Sequence, residues 1–376
     1  MNILIIPDKF KGTLSAAAAA GSIARGWRKA RPLDRLTLLP MSDGGDGFGE
    51  VMSRLLGARR RTCRAVDAAH GPCRVSWWWQ SESRLAIIES SQVIGLAMLP
   101  AGKFHPFELD TLGLGKVFRT AAQCGARRFL VGIGGSATND GGFGLAHALG
   151  WDFLDEAGDS IRRWPELKRL KAIHPPKKGG LFQDLVVAVD VQNPLLGRRG
   201  ATRVYGPQKG LRARDFRLAE SCLERLSSVW RRDFGEDLAG EPGAGAAGGL
   251  GFGLRAFLGA KLEPGFELFA GYARLEARLQ SSTLVVTGEG RIDDSTLMGK
   301  GVGQIARRCL DLKIPCIGLA GVVKIAVGVK RSFSQLRGLT DLTTEEKARA
   351  RPAFWLTRLA DHVAHETAAM ACRPSH

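Results

Sequence analysis

The sequence predicts an α/β protein in which a doubly wound parallel-sheet domain is interrupted by an inserted second α/β domain. Three observations carry that prediction. Short apolar runs rich in Ile, Val and Leu recur, and each ends in a turn bearing glycine or aspartate, as buried parallel strands do. A strand–loop–helix rhythm opens the chain and returns in its last third, while the middle changes character. The length, 376 residues, exceeds one ordinary core and points to about two domains.

The elements follow in order. Asn2 to Ile6 reads as a strand ending at Pro7-Asp8-Lys9-Phe10-Lys11-Gly12, and a helix from Ser15 to Lys29 is stopped by Pro32. Leu36 to Leu39 is the next strand. It opens the loop Pro40 to Gly47, and a helix then runs to Leu56 with Gly57 as its stop. Val75 to Trp79 and Leu85 to Ile88 predict a hairpin or meander. Trp77 and Trp79 share one face of that strand and Trp78 takes the other, which suits core or interface packing. Strands at Arg128 to Val131 and Leu185 to Val189 come later, and Gly240 to Gly253 leads into a helix at Leu254 to Leu258. Thr283 to Val286 and Cys316 to Leu319 are strands, with a helix from Gly299 to Leu310 between them and a last helix over Ala353 to Met370. The simplest division puts residues 1–62 and 280–376 in one domain and 63–279 in the insert.

Composition narrows the function classes. The net charge is +17, with clusters at Arg59, Arg60, Arg61 and Arg64 and around Arg25, Arg28, Lys29 and Arg31. These lack aromatic interleaving, zinc-finger spacing or an RNA-binding signature, so specific nucleic-acid binding is not predicted. Attraction of small acids and phosphates is. Seven cysteines form no Cys-x-x-Cys pair, which fits a reduced, cytoplasmic protein. Met1 to Ile6 lacks the features of a secretion signal, and no apolar run approaches the ~18 residues of a membrane span.

The chemistry concentrates in loops. Gly132-Ile-Gly-Gly-Ser-Ala-Thr-Asn-Asp-Gly-Gly142 lies between a strand and a helix, where exposed N–H groups hold anions, and its Asp140 adds a carboxylate suited to a metal-bound phosphate. Ligands of open parallel sheets bind beyond the carboxyl ends of the strands. The loops starting at Asp8, Asp43 and Gly288 collect there, with Gly134 to Asp140 and Asp190 expected to face them from the insert. Asp43, Asp140, Asp190 and Asp293 each follow a strand and are candidates for magnesium or for a cap or Asx-turn. Lys9, Lys11, Lys209 and Lys300 sit in glycine-containing loops, as phosphate-binding lysines do. Gly243, Gly245 and Gly248 have Gly-x-Gly-x-x-Gly spacing without a preceding strand, and Gly299-Lys300-Gly301 is not a Walker A end. No Gly-x-Ser-x-Gly elbow is present.

Together these islands resemble the type-1 glycerate kinase family of bacteria. The matching blocks are Pro7-Asp8-x-Phe10-Lys11-Gly12-Thr13-Leu14-Ser15-Ala16, Asp43-Gly44-Gly45, Gly132 to Gly142, Asn193-Pro194-Leu195-Leu196-Gly197 and Gly206-Pro207-Gln208-Lys209-Gly210. Gly243 to Gly251 and Thr287-Gly288-Glu289-Gly290-Arg291-Ile292-Asp293, with Thr296 and Gly299-Lys300, complete the order. The resemblance implies ATP- and Mg²⁺-dependent phosphorylation of D-glycerate, with 2-phospho-D-glycerate the expected product. It also implies a flavodoxin-like domain interrupted by a restriction-endonuclease-like one.

The roles expected from it are as follows. Gly134, Gly135, Ser136, Thr138, Asn139, Gly245, Gly248, Gly288 and Glu289 hold the nucleotide, and Asp43, Asp293 and Asp140 the metal. Asp8, Lys9, Lys11 and Asn193 hold the substrate. Asp190 is the base, assisted by Lys300, Arg291 and Asp43. The chain departs from the family at Lys9, Ser42, Asp46, Ser90-Ser91, Asp110 to Lys116 and Asp294-Ser295. Reaction at the 3-hydroxyl, another small hydroxy acid, or an inactive anion- or nucleic-acid-binding descendant are the alternatives. Oligomeric state is left open.

Overall fold

The computed structural model describes residues 1–177, 182–297, 301–324 and 332–371. The chain divides into two compact units, Met1–Asp43 with Phe269–His376, and Gly44–Leu268. The first begins with β1 (Asn2–Pro7), the helix Ala16–Ala30 and β2 (Arg35–Leu38). The second contributes β3 (Arg59–Val66), β4 (Pro72–Gln80), β5 (Leu85–Glu89), β6 (Arg128–Gly132), β7 (Asp152–Leu154), β8 (Ala172–His174), β9 (Asp184–Val189) and β10 (Lys261–Pro264). The first is completed by β11 (Leu284–Ile292), β12 (Cys316–Val323) and β13 (Gln335–Gly338).

In the first unit the strand order is β13-β12-β11-β1-β2, and every pairing is parallel. The apolar stretch Ile3 to Pro7 is buried throughout, as a central parallel strand must be. The helix Ala16–Ala30 starts at Ser15, whose Oγ accepts the N–H of Ala18, and buries Ile23 and Trp27. Its Gly26 admits the helix Pro352–Ala371, because a Cβ there would lie 2.1 Å from the Thr357 carbonyl oxygen. Chain order makes β1 the switch point. The path from β1 to β2 runs one way across the sheet, and β11 lies on its other side. That is where the carboxyl edge opens a crevice.

The second unit has a six-stranded sheet, β10-β9-β6-β5-β4-β3, and a small β7–β8 pair. β5, β6, β9 and β10 are parallel, while β3–β4 and β4–β5 are antiparallel. The three tryptophans alternate as the two-residue strand period requires. Trp77 and Trp79 pack on the main apolar core. Trp78 instead lies over Gly49 of the helix Phe48–Leu56, where a Cβ would sit 1.9 Å from its ring.

The two units divide at 43/44 and 268/269. The arginine-rich strand β3 pairs along its length with β4, and Phe48–Leu56 packs beneath Trp78, so both go with the second sheet. Among the described residues no helix is long and apolar enough to cross a membrane.

Candidate active site

In the first unit, carboxylates gather where β1 ends beside β11. Pro7 pairs with Gly288, and the N–H of Asp8 donates to the Gly288 carbonyl at 2.8 Å. The N–H of Met41 donates to the Pro7 carbonyl at 3.0 Å, tying the approach to Ser42 and Asp43 to the end of β1. Glu289 is the next residue of β11, only 9% exposed, and its Oε1 accepts the Thr296 hydroxyl at 2.8 Å. Burial pushes the Asp8 carboxyl up to about 7, and the Asp43 and Glu289 charges push the same way against Lys9 and its N–H.

Glycines make this convergence sterically feasible. A Cβ on Gly288 would lie 2.0 Å from the Leu319 carbonyl oxygen, and one on Gly290 3.1 Å from the Lys11 nitrogen. Gly288 therefore spaces β11 against β12. Asp293 closes the strand through Thr296: its N–H donates to Thr296 Oγ1 at 3.2 Å, and its carbonyl accepts the Thr296 N–H at 2.9 Å. Lys9 is half-buried, whereas Lys11 and Arg291 are exposed. Lys300 and Gly299 lie outside the described residues.

In the second unit, the loop after β6 is folded inward. Ser136 is 6% exposed, and Thr138, Asn139 and Asp140 are fully buried. Asp140 accepts from the Thr111 N–H (2.9 Å), the Thr111 hydroxyl (2.7 Å), the Gly144 N–H (3.0 Å) and the Gly142 N–H (3.3 Å). The carboxylate expected among the metal ligands thus has its oxygens engaged by four donors, which brace the loop. Burial, with Asp110 nearby, nonetheless raises its carboxyl to about 6 against those hydrogen bonds. The Gly134 N–H is engaged by the Gly44 carbonyl at 3.1 Å, Gly135 is exposed at φ 79°, and the Asn139 amide donates to Thr202 Oγ1 at 3.1 Å. Among the described residues Thr138 Oγ1 and Asn139 Oδ1 are buried without a hydrogen-bond partner.

The glycine-dense segment packs directly on this loop. Ala247, Gly248 and Gly249 take successive left-handed conformations (φ 55°, 73° and 86°) before the helix that ends at Leu258. A Cβ on Gly248 would lie 2.0 Å from the Thr138 carbonyl oxygen, and one on Gly245 2.1 Å from that of Pro194. The Gly245 N–H bonds the Asn193 carbonyl at 2.9 Å.

Asp190 follows β9 and is exposed. Its charge, after burial, helps to raise the Tyr205 hydroxyl to about 12. Tyr205 donates to Asn193 Oδ1 at 2.6 Å, and Asn193 Nδ2 donates to the Arg199 carbonyl at 2.7 Å. The expected substrate-binding Asn193 thus has both ends of its amide engaged in bracing the loop beside Asp190.

The loops starting at Asp8, Asp43 and Gly288, which the sequence groups beyond the strand ends, lie together at the end of β1. Two further side chains brace these loops. Lys209 is buried against Ser136 and Thr138, and only its glycine-flanked position hinted at this. Glu89 accepts the N–H groups of Gly47 and Gly49, with no local signal at all.

Comparison with known proteins adds a second line of evidence. A family model described as "Glycerate kinase family" matches residues 3–368. A protein of Halalkalibacterium halodurans named glycerate kinase is 38% identical over 85% of both chains. One of Escherichia coli named glycerate 2-kinase is 37% identical over 88% of this chain and 87% of its own. The crystal structure of a protein proposed to be glycerate kinase 2 of Salmonella typhimurium matches with a TM-score of 0.83, at 32% identity and over 99% of each chain.

Proposed function

Because the chain belongs to the glycerate kinase family of enzymes, we propose that it transfers the γ-phosphoryl group of ATP to the 2-hydroxyl of D-glycerate, with Mg²⁺ as the bound cation. The relative named glycerate 2-kinase supports the position of attack. The observation that carries the reading is the group Asp8, Asp43 and Glu289 at the switch point of the first sheet.

That group fits a magnesium ion. Mg²⁺ takes one or two carboxylates together with phosphate oxygens, and a cation favours the charged form of Asp8, whose carboxyl burial first and then the Asp43 and Glu289 charges raise. Asp43 and Asp8 would hold it, with Asp293 joined to the group through Thr296 and Glu289. When bound, the ion neutralises charge on the transferring phosphate.

The chain's own residues do the rest. Phosphoryl transfer needs positioning and charge neutralisation more than covalent help from the protein. Asp190, exposed after β9, takes the proton of the glycerate hydroxyl as its oxygen bonds the γ-phosphorus and the bond to ADP breaks. Lys9 and Lys11 attract the glycerate carboxylate, and Arg291 and Lys300 offset developing charge. The loop from Gly134 to Asn139 and the turn from Gly245 to Gly249 present backbone to the nucleotide phosphates.

We read the first unit as flavodoxin-like, since its strands in order of their own appearance run 2-1-3-4-5. The mixed sheet of the second is read as restriction-endonuclease-like. A reduced cytoplasmic setting agrees with the cysteines free among the described residues. Phosphorus NMR of the product made from D-glycerate and ATP is the test. A 2-phosphoglycerate resonance is expected; 3-phosphoglycerate would move the attack to the other hydroxyl, and no phosphorylated product would overturn the reading.

A further inference from the structure

The helix Ala201–Lys209 ends at Gly210, whose left-handed backbone (φ 106°) closes it and leaves Lys209 buried at 6% exposure. The Lys209 ammonium donates to Ser136 Oγ at 3.1 Å and to the Thr138 carbonyl at 2.6 Å. Both acceptors are neutral. Among the described residues no carboxylate lies within ion-pair distance of it, and the acid whose field reaches it, Asp140, has its oxygens engaged by Thr111, Gly142 and Gly144. Burial accordingly pulls the amine down to about 7, with Asp140 opposing.

A buried ammonium held only by neutral oxygens is costly, and those oxygens require a donor rather than a charge. The surroundings leave it no slack. A Cβ on Gly248 would sit 2.8 Å from Lys209 Nζ and 2.0 Å from the Thr138 carbonyl oxygen, so the left-handed turn backs directly onto the clamp. Beside it, Thr138 Oγ1 and Asn139 Oδ1 are buried without a hydrogen-bond partner among the described residues. The loop is thus fixed from behind by a lysine that no carboxylate among the described residues pairs with directly.

We propose that Lys209 is a positioning residue for the phosphoryl donor: it clamps Ser136 and Thr138 so that their loop presents its backbone to the nucleotide phosphates, whose negative charge compensates the ammonium. The proposal rests on the kinase reading above. It differs from a packing role in being specific to one substrate. Removing the amine weakens nucleotide binding and leaves glycerate binding in place.

The test compares full-length wild type with Lys209→Met, which keeps the length but removes donor and charge. The KM for MgATP should rise at least tenfold, that for D-glycerate should change less than threefold, and ADP affinity measured by calorimetry without glycerate should fall in parallel. Should Lys209→Met be less stable, the rise in Tm on saturating ADP still reads binding; a rise equal to that of wild type overturns the proposal. Unchanged ADP affinity, or a higher KM for glycerate alone, also overturns it while wild-type turnover of glycerate leaves the kinase reading intact. Wild type that neither binds ADP nor phosphorylates glycerate overturns both.

Discussion

The carboxylate of Glu89, at the end of β5, accepts the N–H of Gly47 at 3.0 Å and of Gly49 at 2.9 Å, so it caps the helix Phe48–Leu56 from a different element. Gly47 has no side chain to cap with, and the Ser91 hydroxyl steadies Glu89 at 3.0 Å. A buried anion at a helix N-terminus is held by both hydrogen bonds and dipole. Glu89→Gln should destabilise the protein by about 1–3 kcal/mol, because an amide replaces one acceptor with a donor facing an N–H. Denaturant titration reads it, and an unchanged midpoint would remove the capping role.

Gly288 has no room for a side chain. Its added Cβ would meet the Leu319 carbonyl oxygen at 2.0 Å, and backbone in a paired strand cannot step aside. Gly288→Ala should force β11, the strand that carries Glu289, away from β12, and so lower both the yield of folded protein and its activity. Soluble protein with wild-type Tm and turnover would show that the sheet absorbs the methyl.

Asp34 supplies an acid-pH prediction. Burial raises its carboxyl, but hydrogen bonds from Arg31, the N-terminal amine and Trp27 outweigh that and bring it from 3.8 to about 2. A folded pKa below the unfolded one contributes stability that is complete above the unfolded value and is lost as pH falls through the folded one. Asp34→Asn should therefore cost about 1–2 kcal/mol at neutral pH, and the gap from wild type should close between pH 4 and 2. Thermal melts across that window measure it; a gap that does not depend on pH would assign the effect to packing.

Asp43 separates metal binding from folding. It raises the Asp8 carboxyl, so Asp43→Asn relieves repulsion and should leave Tm unchanged or higher. The Mg²⁺ concentration for half-maximal turnover should rise by roughly tenfold or more. A magnesium titration matching wild type would exclude Asp43 as a ligand.

Local patterns were legible to different depths. The runs that became β1, β5, β6, β9, β11 and β12 stand out because buried parallel strands are apolar on both faces. β3 was missed since Arg59-Arg60-Arg61 looks like a solvated charge cluster, and as the edge of its sheet the strand is indeed largely exposed. β10 and β13 have four residues each and mixed burial, too little for periodicity to show. Asp140 follows a strand in a glycine-rich turn, which is equally the setting of a metal ligand and of a loop brace. Only the folded chain brings it four donors, two of them from Thr111.

Taken by itself, the sequence determined the α/β class, the interrupted first sheet, the loops at the strand ends and the resemblance to glycerate kinases. All of these rest on local residue runs and their order. The tertiary structure alone decided which charges meet: Asp8 with Glu289 across the β1–β11 pairing, Lys209 under Ser136 and Thr138, and Glu89 at the helix after Gly47. Burial of an apolar run can be read from neighbours along the chain. The environment of a charge is set by the register of strands and turns distant in sequence, and only the folded chain brings those together.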